Sequence, residues 1–95
     1  MPNKAENNPV EILIVEDSPT QAEELQYILE KKGYRVSAAP NGKKALEVLA
    51  GRRPDVVISD VLMPEMDGYE LCKRMRADER FKHIPVILVT THSLA

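Results

Sequence analysis

Acidic residues stand where apolar segments of this chain end. Glu16 and Asp17 follow the run Glu11-Ile12-Leu13-Ile14-Val15, and Asp60 closes the run Val56-Val57-Ile58-Ser59. Short, almost wholly apolar runs read as strands buried on both faces, and open parallel sheets place their sites at the carboxyl ends of such strands. If the two strands are neighbours, their ends lie about 5 Å apart, and Glu16, Asp17 and Asp60 converge. Three carboxylates that close repel one another unless a cation sits among them. Hard oxygen donors in a small, partly wet site suit Mg²⁺, with Mn²⁺ a second option. A metal there can bridge to a phosphoryl oxygen and neutralise charge that develops during transfer. A third apolar run, residues 86–89, ends in Thr90, a hydroxyl at the same edge that can hydrogen-bond a phosphoryl oxygen. Taken singly, each feature also fits a solvated turn or an ordinary strand residue. Their coincidence at three strand ends points to a site.

The elements that must position these groups follow from periodicity and punctuation. Strand one is expected over residues 11–16. Ser18-Pro19 then offers a serine cap with proline at the first helical position. Ala22, Leu25, Ile28 and Leu29 are spaced to form the buried stripe of helix one, and Gly33 stops it. Tyr34, Val36 and Ala38 alternate with Arg35, Ser37 and Ala39, so strand two is expected half exposed at a sheet edge. Asn41-Gly42 opens helix two, with Ala45, Leu46 and Leu49 inward. Strand three covers residues 55–60. Asp67 and Glu70 have capping-box spacing for helix three, lined inside by Leu71, Cys72 and Met75. Pro85 opens strand four, residues 86–90. The order β-α-β-α-β-α-β with short loops predicts an α/β fold, an open parallel sheet with helices on both faces.

Ninety-five residues, 43% hydrophobic and 29% charged, describe one globular domain. A net charge of −2 gives no reason to expect direct nucleic-acid binding. The apolar runs fall far short of the roughly 20 residues that span a bilayer, so no membrane association is expected. One cysteine cannot form an internal disulfide, which fits a cytoplasmic location. Residues 1–9, polar with three asparagines and two prolines, read as a flexible leader. The dinucleotide, Walker A, HExxH and CxxC patterns are absent.

The stretches Ile12-Leu-Ile-Val-Glu-Asp-Ser18, Asn41-Gly42 before an Ala-Leu helix, Asp55-Val-Val-Ile-Ser-Asp-Val-Leu-Met-Pro-Glu-Met-Asp-Gly68 and Pro85-Val-Ile-Leu-Val-Thr90 together closely resemble the receiver domain of bacterial response regulators. The resemblance covers about residues 10–95 and implies a flavodoxin-like sheet in the order 2-1-3-4. It implies that Asp60 accepts a phosphoryl group from the phosphohistidine of a sensor histidine kinase or phosphotransfer protein. It assigns Mg²⁺ to Glu16, Asp17, Asp60 and the backbone carbonyl of Leu62, and the switch hydroxyl to Thr90. Leu62 and His92 match variable positions that influence how long the phosphoryl group persists. The resemblance implies a self-phosphorylating and self-dephosphorylating acceptor, not an enzyme acting on a separate substrate.

Receivers continue through a fourth helix, a fifth strand ending in a lysine, and a fifth helix. This sequence reaches Ala95 without them, and Lys82 lies at the wrong end of strand four. The expectation is therefore a receiver incomplete at its C-terminus, first in its gene product, with a bare fourth-strand edge that favours self-association. An interaction module that works by binding, unphosphorylated, is the alternative. A metal-dependent phosphatase is weaker, since a DxDxT-like run is missing. Cys72 is expected in the core. Lys73, Arg74, Arg76, Arg80 and Lys82 read as a solvated face, and Arg52-Arg53 as a solvated loop. Met63 and Met66 fit either loop packing or a partner's helix.

Overall fold

The computed structural model describes residues 8–90. Among them the elements are β1 (Glu11–Val15), α1 (Pro19–Lys31), β2 (Arg35–Ala39), α2 (Gly42–Gly51), β3 (Val56–Asp60), α3 (Gly68–Arg76) and β4 (Val86–Val89). The four strands are all parallel in the order β2-β1-β3-β4, as the resemblance implies. Val15 pairs with Ser59 and Asp60 with Val89, which aligns the carboxyl ends of β1, β3 and β4.

Local chemistry sets the helix starts. The Ser18 hydroxyl accepts from Gln21 N–H at 3.3 Å, Asn41 Oδ1 from Lys44 N–H at 2.8 Å, and Asp67 Oδ1 from Glu70 N–H at 2.8 Å. Each satisfies a first-turn donor that has no partner within its helix. Only half of the expected capping box forms at α3, because the Glu70 carboxylate turns to Arg74 Nε at 3.0 Å. Gly33, with φ +95°, ends α1 in the left-handed conformation that favours glycine.

One side of the sheet holds the core. Leu13, Val15 and Val57 pack with Ala45 and Leu49 of α2, Leu71 and Met75 of α3, and Phe81 and Ile84 of the following loop. Each large apolar side chain buried there is worth about 1.5–3 kcal/mol. The other side carries α1 alone among the described helices, and its cover thins across the sheet. Ile14, Ile58 and Ile87 sit side by side in register; Ile14 is buried, Ile58 half-buried, and Ile87 is 50% exposed.

That geometry corrects three readings. No residue of α1 is fully buried, and Ile28, expected inside, is 51% exposed, because the groove it faces has no second wall among the described residues. In β2, Ala39 is buried and Ala38 exposed, the reverse of the alternation read from the sequence; Ala39 lies beside Val15 and shares its core-facing side. Cys72 is only half-buried. The expectation for strand two as an edge stands, and β4 forms the opposite edge among the described residues.

Candidate functional site

The carboxyl ends of β1 and β3 bring Glu16, Asp17 and Asp60 together, with one carboxylate oxygen of each within 4.8 Å of the others. Asp60 and Glu16 are buried and Asp17 is exposed, so the cluster opens to solvent on one side. Ser18 N–H donates to Glu16 Oε2 at 3.0 Å, and Leu62 N–H to Asp60 Oδ1 at 3.3 Å. Burial pushes the Glu16 carboxyl above its ordinary pKa. The Ser18 N–H partly opposes this, while the negative charges of Asp60 and Asp17 reinforce it. A divalent cation would reverse the balance, because three hard oxygen donors at this spacing suit such an ion and relieve their own repulsion.

Thr90 follows the last residue of β4, and with Glu16 and Asp60 it lines a cleft of about 370 Å³ between α1 and the sheet. Ile14, Val15, Leu25, Ile28, Ile58 and Val89 supply the apolar part of that lining. Leu62 holds its side chain 56% exposed beside the acid cluster's loop. His92 falls outside the described residues. A larger groove, about 810 Å³, runs between the start of α2 and the β3–α3 turn, but none of the three acids lines it.

Sequence reasoning missed other participants. Gln21 lines the cleft, and its buried Oε1 has no hydrogen-bond partner among the described residues; its place in the first turn after the Ser18 cap was the available signal. Met63 is buried in the core and Met66 packs against it, which resolves both in favour of loop packing. Arg76 is not merely a solvated cation: its guanidinium donates to the carbonyls of Phe81 (3.4 Å), Lys82 (2.6 Å) and Ile84 (2.5 Å). Arg52 likewise reaches the Ser37 hydroxyl at 2.9 Å.

The family model for the response regulator receiver domain matches residues 12–95. This chain belongs to that family. Its receiver fold is shared with the receiver domain of a signal transduction histidine kinase from Syntrophus aciditrophicus, at 56% identity and a TM-score of 0.82 over 88% of this chain and 64% of that one. Protein PilH of Pseudomonas aeruginosa is 41% identical over 84% of this chain and 66% of its own length. The receiver domain of the sensor histidine kinase PA1611 from the same species, with a magnesium ion coordinated in its active-site cleft, matches at 32% identity and a TM-score of 0.82, covering 92% of this chain and 71% of that one. This receiver thus spans just under two thirds of the length of PilH and of the Syntrophus chain. Membership places it in two-component signalling. Among the described residues, no helix is long and apolar enough to cross a membrane.

Proposed function

We propose that this receiver is a phosphorylation-controlled switch whose acceptor is Asp60. The observation that carries the reading is the convergence of three carboxylates, two of them buried, within 4.8 Å at the ends of adjacent parallel strands. An Asp60 oxygen attacks the phosphorus of a phosphohistidine on a sensor histidine kinase or phosphotransfer protein. The new O–P bond forms as the P–N bond breaks, and the imidazole leaves with the electron pair and takes up a proton. Glu16, Asp17 and Asp60, with the Leu62 carbonyl, would hold Mg²⁺, which when bound offsets charge on the transferring oxygens. Leu62 N–H already donates to Asp60 Oδ1, which orients the carboxylate. Thr90 supplies the hydroxyl that meets the phosphoryl group, and phosphorylation biases the domain toward one of two arrangements.

The wider reading is a cytoplasmic domain over residues 10–95 that self-associates along β4, an edge strand among the described residues. As a switch it acts on itself, not on a separate substrate. Incubating the protein with acetyl phosphate and Mg²⁺ tests the assignment. One phosphoryl group of added mass, lost in Asp60→Asn and on chelation of the metal, is the expected result. No added mass would instead favour a module that works by binding alone.

A further inference from the structure

Gly68 opens α3 directly against the main chain of the acceptor. A Cβ at this position would lie 2.5 Å from the Asp60 carbonyl oxygen, 3.0 Å from Leu88 Cδ2 and 3.1 Å from Val61 Cα. Its φ is not positive, unlike that of Gly33, so close approach and not backbone conformation makes glycine necessary here. The Gly68 N–H also donates to the Val61 carbonyl at 2.9 Å. From within β3, the fully buried Ser59 donates its hydroxyl to the same Asp60 carbonyl at 3.0 Å.

We propose that Gly68 and Ser59 are positioning residues, which fix the main chain from Asp60 to Leu62 and thereby set how the Asp60 carboxylate, held by Leu62 N–H, and the Leu62 carbonyl lie relative to Glu16 and Asp17. The inference rests on the reading of Asp60 as acceptor. Asp60 cannot simply retreat from an added methyl group. It is paired in register with Val89, and the Val61 N–H is bonded to the Val89 carbonyl at 2.8 Å. The strain therefore falls on α3 and on residues 61–67, which join the two and include Leu62. The gap must widen by about half an ångström merely to reach 3.0 Å, and misplacement of about 1 Å costs on the order of a hundredfold in rate.

Gly42 is the natural control. A Cβ there would meet Met66 Sδ at 2.6 Å and Cγ at 2.9 Å, atoms of a flexible side chain that can swing aside, and Met66 Cβ at 3.1 Å, which needs a shift of only a few tenths of an ångström.

The experiment compares Gly68→Ala, Ser59→Ala and Gly42→Ala in the full-length protein. It reads Mg²⁺ affinity by calorimetry, the phosphorylation rate at saturating acetyl phosphate, and folding by circular dichroism. Folded Gly68→Ala should lose about tenfold to a hundredfold in rate and bind Mg²⁺ more weakly, Ser59→Ala should lose severalfold, and Gly42→Ala should stay within about twofold of the parent. Gly68→Ala and Ser59→Ala that are both folded and match the parent in Mg²⁺ affinity and rate would overturn the proposal, even if they melt earlier. Should Gly68→Ala fail to fold, Ser59→Ala decides: weakened Mg²⁺ binding and slower transfer support the proposal, and parental values overturn it. If the parent itself takes no phosphoryl group, the assignment of function fails. The Mg²⁺ affinities then judge the positioning role alone, weaker binding in the variants supporting it and equal binding overturning it.

Discussion

Glu65 is the one described non-glycine residue with positive φ, at 70°, in a tight turn closed by Met66 N–H to the Pro64 carbonyl at 2.8 Å. That conformation costs a side-chain-bearing residue on the order of 1 kcal/mol. Glu65→Gly should therefore raise stability by up to about 1 kcal/mol, part of the gain being offset by the freer unfolded chain. A urea titration that shows the midpoint unchanged or lowered would refute this. Leu62 sits exposed beside the acceptor loop, with its N–H on Asp60. Replacing its apolar side chain in Leu62→Asn should admit the hydrolytic water and shorten the phosphoryl lifetime severalfold; an unchanged decay rate removes the idea. The convergence of Glu16, Asp17 and Asp60 was legible in the sequence because these acids follow directly on apolar runs. Ser59 and Gly68 were not, because Ser59 acts through a hydroxyl rotamer set by its burial and Gly68 through a carbonyl that only the folded turn brings near.

Strands and helix starts were readable for the same reason: they are written locally, in apolar runs and in the caps Ser18, Asn41 and Asp67. What escaped was decided by neighbours. Ile28 has helical spacing but no wall to face, and Ala39 is buried by α2 and Val15 rather than by its own alternation. Arg76 is the clearest case, since nothing in a run of cations distinguishes the one that ties down the loop before β4. With three carbonyls as its acceptors, Arg76→Met should destabilise the domain by about 1–2 kcal/mol, allowing for partial solvent access. Lys82→Met, whose ammonium meets the exposed Glu79 carboxylate at 3.0 Å, should change stability by less than about 0.5 kcal/mol. Equal denaturation midpoints for the two variants would refute the tether. The adjoining Phe81, nearly fully buried, should cost about 3–5 kcal/mol as Phe81→Ala.

At the scale of the whole molecule, the acid cluster sets function against stability. Ionising Glu16 costs the fold stability, since its folded pKa is raised first by burial and then by the charges of Asp60 and Asp17. An acid whose pKa is raised by folding binds its proton more tightly in the native state. Its destabilising effect is thus fully present above the raised pKa, fades as pH falls through it, and is gone below the ordinary value of 4.5. Other carboxylates titrate in the same range, so the difference between the parent and Glu16→Gln isolates this group. Without divalent cations, Glu16→Gln should melt higher than the parent at pH 7, and the gap should close on acidification toward pH 4.5. Adding Mg²⁺ should raise the parent's melting temperature, by about 2.7 kcal/mol of stabilisation at a hundredfold excess over its Kd, and should raise that of Glu16→Gln less. The order at pH 7 would then narrow or invert with metal. Melts in which Mg²⁺ lifts both proteins equally, or in which metal-free Glu16→Gln is the less stable, would mean that Glu16 does not belong to the cation site and that its burial serves the fold alone.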